Sequence, residues 1–371
     1  MKVGIDGYFM PDTKSAWGKT QRNIILQLSD IDQDDELFIF VNKDGTKYLP
    51  RNSNISMVTV LRKKDNFISR IRSIRKSIKR DKLNLDVYIE TVEIAPKFGK
   101  DVKVFSLQHD FSNGTLEKLF SIARLNGKIY RWFQLSTITK SEVVFCNSRF
   151  TKDQLTGLFN DKKRILISPY GVDPIYEDVQ VLFKKMESVN LDIPEKFFLF
   201  VGRLTVKHKN VPLLLEAFLM FSKTHQDYSI VLASTEDPTA EEKKMIDLLG
   251  TRVKLFKGLS TLEVAFLYSR AAAFIFPSYY EGFGIPILEA QHMGCPLVLN
   301  DIPVFREVSG GAAIFFNGKT IDLVRALEEV TDKRNRDELI KKGRENCKRY
   351  SWRKVAEMIY TELHGETVNE R

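Results

Sequence analysis

The chain has 371 residues, 43% of them hydrophobic, and a formal net charge of +9. That length exceeds one ordinary core and suits two α/β domains, while the absence of any apolar run near the ~18 residues that span a bilayer excludes a membrane-spanning helix. Cys146, Cys295 and Cys347 are odd in number and lack C-x-x-C spacing, which argues against a disulfide framework or a zinc site and fits a reducing cytoplasm.

The short apolar start carries Asp6, so it reads as a first strand and not as a signal peptide. Segments 2–5, 36–41, 55–60, 86–89, 102–107, 142–146 and 164–167 read as strands in the first half, and 197–201, 229–233, 253–256, 272–276, 296–299 and 312–316 in the second. They alternate with helical patterns, the sign of parallel doubly wound sheets. Two sheets imply two Rossmann-like domains, 1–173 and 174–351, joined by a stretch around 174–194 without strong strand character. A last helical stretch begins near Ser351 and Trp352.

After the first strand, Gly18-Lys19-Thr20 precedes a helical pattern over 21–28. The spelling invites a phosphate-loop reading, but Thr13 stands where that motif requires glycine, which excludes an ATPase or kinase on this evidence. Asp32-Gln33-Asp34 spells a D-x-D metal-binding triplet, yet it lies in an acidic loop and reads as solvated. No His, Cys or Asp cluster shows metal-ligand spacing, and no cofactor or metal is expected. No G-x-G-x-x-G follows a strand, which disfavours a nicotinamide-dependent dehydrogenase.

Residues 61–82 hold ten Lys/Arg against Asp65 and Asp81, a local +8. Phe67, Ile68, Ile71, Ile74 and Ile78 recur there at helical spacing, flanked by Arg70, Arg72, Arg75, Lys76, Lys79 and Arg80. This pattern suits a helix on an anionic membrane surface, and it equally suits a core-packed helix with a solvated basic face. No RNA or DNA motif accompanies the patch, so nucleic acid is not an expected partner.

His109-Asp110 follows a buried strand, which places an imidazole at a carboxyl strand end where it can donate to a hydroxyl or shuttle a proton. In the second half, the strand 197–201 runs into Gly202-Arg203, with Lys209-Asn210 six and seven residues after the arginine. Two cations at one strand end suit a leaving group that gathers negative charge on phosphate oxygens. Residues 278–290 then place Glu281, Gly282, Phe283, Gly284, Ile285, Pro286 and Glu289 in one strand-to-helix turn. Pro286 is tolerated in a first helical turn, and the Gly282-Phe283-Gly284 amides are expected to face a phosphate or sugar hydroxyl, with Glu289 projecting from the first turn.

Glu281 and Glu289 in this setting resemble the paired-glutamate motif of the retaining, nucleotide-sugar-dependent glycosyltransferases of family four, which have the GT-B fold. Lys254 to Ser260, Phe276-Pro277-Ser278 and Gly294-Cys295-Pro296-Leu297 follow in that family's order. The resemblance is specific from about 197 to 307 and weak in the first half. It implies two Rossmann-like doubly wound domains facing an interdomain cleft, with the terminal helix 352–371 packing back on the N-terminal domain. It also implies a UDP- or GDP-sugar donor, a saccharide or lipid-linked saccharide acceptor in surface-polysaccharide synthesis, and no metal.

By the same resemblance, Arg203 and Lys209 bind the donor diphosphate and Glu289 the ribose hydroxyls. Glu281, with the Phe283 and Gly284 amides, holds the donor sugar. His109 lies near donor sugar and acceptor, and Gly18 belongs to a glycine loop approaching the donor phosphates, although this copy lacks the usual double glycine. A front-face mechanism, in which the leaving phosphate helps deprotonate the acceptor hydroxyl, needs no covalent nucleophile. The alternatives are a sugar-nucleotide epimerase or hydrolase on the same scaffold, and a non-catalytic sugar-nucleotide or glycan binding protein.

Overall fold

The computed structural model describes residues 1–12, 16–49, 54–60, 67–111, 124–159, 163–176 and 178–365. The chain divides into two compact units, one of residues 1–171 with 351–371 and one of residues 172–350. Each is built on a fully parallel sheet, as near-continuous apolar strand runs such as Phe197–Val201 demand, because strands buried on both faces do not alternate.

Among the described residues, the first unit runs β1 (Lys2–Asp6), α1 (Ala16–Ile31), β2 (Glu36–Val41), β3 (Ile55–Thr59), α2 (Phe67–Arg80), β4 (Val87–Glu90), β5 (Lys103–Gln108), α3 (Arg124–Lys140), β6 (Val143–Cys146), α4 (Arg149–Phe159) and β7 (Arg164–Ile167). Its sheet has the order β3-β2-β1-β4-β5-β6-β7. The second unit runs α5 (Val179–Met186), β8 (Phe197–Val201), α6 (Val211–Phe221), β9 (Ser229–Ser234), α7 (Ala240–Leu249), β10 (Val253–Lys257), α8 (Thr261–Arg270), β11 (Ala273–Phe276), α9 (Ile285–His292), β12 (Leu297–Asn300), α10 (Pro303–Ser309), β13 (Ile314–Phe316), α11 (Thr320–Thr331) and α12 (Lys333–Cys347). Its order is β10-β9-β8-β11-β12-β13. Strand order therefore reverses beside β1 and β4 in one sheet and beside β8 and β11 in the other. Such reversals open a crevice at the carboxyl ends of the strands.

The second core joins Phe198, Phe200, Ile230, Leu232, Ile275 and Val298 of the sheet to Leu214, Leu215 and Phe218 of α6 and Leu323 and Leu327 of α11. Helix α8 starts where its sequence directs: Ser260 accepts from the Glu263 amide while Glu263 accepts from the Ser260 amide, a complete capping box. The chain then returns to the first unit as α13 (Trp352–Leu363), burying Trp352, Val355, Ala356, Ile359 and Leu363. Trp352 stacks on Tyr170 at 5.1 Å, and α13 lies along α1. Residues 366–371 of the expected terminal helix lie outside the described residues.

Helix α2 corrects one expectation. Ile71 and Ile74 are buried in the first core, where Ile74 packs with Phe40, Tyr88 and Val104, so the apolar stripe faces the sheet and is not available to lipid. Arg70 belongs to that buried side: it is 1% exposed, donates to the Ile94 carbonyl at 2.7 Å and pairs with Asp6, and it is no part of a surface. Arg72, Arg75, Lys76, Lys79 and Arg80 remain exposed as a basic face. Residues 61–66 of the basic segment lie outside the described residues. No helix among the described residues is long and apolar enough to cross a membrane.

Candidate active site

At the strand reversal of the second unit, the loops after β8 and β11 are stitched together. The Tyr279 amide donates to the His208 carbonyl at 3.0 Å, and Lys209 Nζ reaches Glu281 Oε1 at 2.6 Å. Lys209 ends a single 3-10 turn, Lys207–Lys209, that closes on Asn210 in the left-handed region before α6 begins at Val211. The turn is what points the lysine back across the strand ends. Its ammonium also lies 4.7 Å from the Phe276 ring centre, and its stem passes close to Gly202. The lysine is held on three sides, by a carboxylate, an aromatic face and a side-chain-free backbone.

His208 sits against the same carboxylate, with Nε2 4.0 Å from Glu281 and its ring edge-on to Tyr279 and Tyr280 at 6.5 and 6.3 Å. Burial lowers its pKa, the Glu281 charge opposes this, and Lys209 and Arg203 add to the lowering. It is neutral at physiological pH. Nothing in the sequence singled it out beyond its place between two lysines. Arg203 is 65% exposed and donates from Nε to Glu236 Oε1 at 2.6 Å. Glu236 follows β9 and also accepts from the Thr205 amide at 3.2 Å. Burial pushes the Glu236 carboxyl up, but the Thr205 hydroxyl and the Arg203 guanidinium outweigh it and hold the pKa below the usual range. Glu236 escaped the sequence reading because its partners are some thirty residues away in the chain.

The turn into α9 follows the expected logic with one shift. Gly284 is the N-cap, at φ 102° and ψ 55°, and an added Cβ would meet Ile287 at 3.2 Å and Phe305 at 3.3 Å, so both conformation and space require glycine. Helix α9 opens at Ile285 with Pro286 in its first turn, which places Glu289 at the start of the second turn and not in the first. Glu289 is 5% exposed. Burial raises the phenol pKa values of Tyr176 and Tyr268, and the Glu289 charge raises both further, which puts the carboxylate beside the two rings. Gly282 and Phe283 each have partners inside the protein, and the Phe283 ring packs edge-on against Tyr350 at 5.9 Å.

In the first unit, His109 follows β5 as expected, but both ring nitrogens are engaged. Nε2 lies 2.7 Å from the Thr91 carbonyl and Nδ1 2.5 Å from the Tyr170 hydroxyl. The carbonyl can only accept, so Nε2 carries the hydrogen and Nδ1 accepts from Tyr170. Burial lowers the His109 pKa, with the Thr91 bond and Asp110 opposing. As placed here the ring is a fixed neutral strut with no N–H left for a sugar hydroxyl, oriented by Thr91 and Tyr170. Gly18 is likewise inside α1, which starts at Ala16, and not in a loop. An added Cβ there would fall 1.9 Å from the Asp12 carbonyl oxygen and 2.7 Å from that of Phe9, so the glycine lets the helix start touch the preceding turn.

The strand ends beside His109 hold a charged group that the sequence did not announce. Asp6 accepts from the Tyr8 amide at 3.1 Å and pairs with Arg70, while Gln21 donates to Thr91 Oγ1 at 2.8 Å. Glu90 is fully buried and accepts from the Val92 amide at 2.5 Å. Burial raises its pKa to about 8, against the pull of Arg70 and with the help of Asp6. Glu93, at φ 74°, accepts from Tyr130 Oη at 2.7 Å and the Asp110 amide at 3.3 Å. The only early signal was the apolar strand runs ending at acids.

The glycosyl transferases group 1 family model matches residues 183–346. The chain is 30% identical over 193 residues to the O-antigen chain mannosyltransferase RfbU of Salmonella typhimurium, covering 51% of each chain. It is 29% identical over 229 residues to the O-antigen chain mannosyltransferase B of Escherichia coli, covering 58% of each. It spans about half the length of the curated relatives it matches. In structure it resembles WaaG, a glycosyltransferase involved in lipopolysaccharide biosynthesis, with a TM-score of 0.72 and 15% identity over 98% of this chain and 100% of that one. That likeness shows the fold, two Rossmann-like units of the GT-B class.

Proposed function

We propose that this chain, matched over residues 183–346 by the glycosyl transferases group 1 model, transfers a sugar from a UDP- or GDP-sugar to a saccharide acceptor with retention of configuration, as a glycosyltransferase of surface-polysaccharide synthesis. The names of its relatives favour mannose as the sugar and a growing O-antigen-like chain as the acceptor. The observation that carries the reading is the Lys209–Glu281 pair at 2.6 Å, beside Gly202 at the sheet's strand reversal.

In this reading the donor diphosphate takes Lys209 from Glu281 and Arg203 from Glu236. Fixed cations aimed at the phosphate oxygens stabilise the charge that gathers there as the anomeric carbon–oxygen bond breaks. They fill the role a divalent cation plays in other sugar transferases. Glu281, released from the lysine, accepts from hydroxyls of the donor sugar. Glu289 accepts from the ribose, its carboxylate kept dry by Tyr176 and Tyr268. The acceptor oxygen then bonds to the anomeric carbon on the face the diphosphate leaves, and its proton passes to the leaving phosphate. The exposed basic face of α2 suits an anionic membrane surface, at about 1 kcal/mol of attraction per Lys or Arg near it.

The test is release of nucleoside diphosphate from GDP-mannose and from UDP-hexoses, with and without a saccharide acceptor. Release that requires the acceptor is the expected result. Release at the same rate without acceptor would overturn the transferase in favour of a hydrolase.

A further inference from the structure

Asp32, set aside in the sequence as one acid of a solvated loop triplet, is completely buried, and Asp35 is 3% exposed. Both precede β2, at the amino edge of the first sheet, opposite the carboxyl edge that holds Asp6 and Glu90. The loop is built and not loose: Asn54 Nδ2 donates to the Asp32 carbonyl at 2.7 Å and to the Asp35 carbonyl at 3.2 Å, and the Asp35 amide donates to Asp32 Oδ1 at 3.1 Å. Asp35 Oδ1 lies 2.5 Å from the Met1 amino group. The second oxygens of both acids are buried and accept no hydrogen bond. Asp35 Oδ2 faces His364 Nε2, just past α13, at 3.3 Å.

Two buried carboxylates in contact are costly unless positive charge or a proton compensates both, and the Met1 ammonium bonds only Asp35 Oδ1, leaving the second oxygens of both acids without a hydrogen bond. One ligand atom from each of Asp32, Asp35 and His364 lies within 4.8 Å of the others. Ligand atoms on one tetrahedral zinc ion, each bonded at about 2.0–2.2 Å, stand roughly 3.3–3.6 Å apart, so the widest of these separations needs to close by at most about 1.5 Å, a movement within reach of the exposed His364 side chain. An imidazole with two carboxylates suits Zn²⁺ and its first-row neighbours better than the all-oxygen cations. We propose that Asp32, Asp35 and His364 form a divalent transition-metal site that staples the returning helix α13 to the α1–β2 loop. The three positions are 332 residues apart at their extremes, a spacing that no motif describes. The site is structural, and it belongs to the first unit, whereas the donor residues belong to the second.

The experiment uses the full chain, stripped with a chelator and titrated with Zn²⁺ alone by calorimetry, and with Co²⁺ followed by its visible d–d bands. One Zn²⁺ per chain, a higher melting temperature with metal, and Co²⁺ bands are expected, because an ion that binds only the native state stabilises it. Asp32→Asn and His364→Ala should each weaken Zn²⁺ binding about tenfold or more. His225→Ala, elsewhere on the surface, should leave it unchanged. His364 lies beyond the last helix, so its variant stays informative if Asp32→Asn fails to fold. Absence of Zn²⁺ binding by the native chain, or binding unchanged in His364→Ala, would overturn the proposal and leave a proton shared by the two acids.

Discussion

Lys209 and Glu281, 72 residues apart, meet at 2.6 Å with Lys209 only 16% and Glu281 14% exposed. Each stands where the donor diphosphate and sugar are expected, so the pair holds both groups in place until a ligand separates them. Lys209→Ala and Glu281→Gln should each lower kcat by about 10²–10³, the loss seen when one preorganised charge or donor is removed from a reacting centre. Diphosphate release under saturating donor measures it. An unchanged kcat in both variants would remove the pair from the mechanism.

Arg70 and its exposed neighbours on α2 should separate cleanly. Arg70→Ala leaves Asp6 buried without its partner and should destabilise the first unit by about 3–5 kcal/mol, read by urea unfolding. Replacing Arg72, Arg75, Lys76 and Lys79 by Gln should change stability by no more than about 0.5 kcal/mol each. The same fourfold variant should lose binding to anionic vesicles and keep diphosphate release from a soluble acceptor. Full vesicle binding would show that the basic face is only solvated.

Glu90 gives the first unit a pH signature. Its folded pKa of about 8 lies above the ordinary value of 4.5, so between those two pH values the folded state holds a proton that the unfolded state has lost. Stability therefore falls as pH rises through that window, by at most about 1.4 kcal/mol per unit from this group, and levels off above it. Glu90→Gln should remove this part of the fall. Parallel stability–pH curves for the two proteins between pH 5 and 8 would contradict the assignment.

Gly18→Ala should disrupt the first turn of α1, since the new methyl carbon would fall 1.9 Å from a carbonyl oxygen that belongs to backbone and cannot swing away. A loss above about 2 kcal/mol, or insoluble protein, is expected. Wild-type stability would mean that the turn and helix are not in contact.

The strands were legible because a parallel sheet buried on both faces writes itself as short apolar runs: 36–41, 164–167 and 197–201 agree with β2, β7 and β8 to the residue. That Lys209 and Glu281 would gather at strand ends was legible for a related reason, since both stand where such runs end and a glycine or proline lies near. Pairings between distant segments were not. Asp6 with Arg70, His109 with Tyr170, Arg203 with Glu236, and Asp35 with His364 join segments 33 to 329 residues apart, and no local period encodes them. Helix α2 shows the same limit: its period gave the apolar stripe, but only the sheet beneath decided which way that stripe and Arg70 face.

The most direct test of the donor site is a thermal-shift titration of the purified chain with GDP, UDP, ADP, TDP and CMP, repeated on Glu289→Gln. A rise in melting temperature with one nucleoside diphosphate, lost in the variant, is the predicted result. No shift with any nucleotide, or an equal shift in the variant, would contradict it.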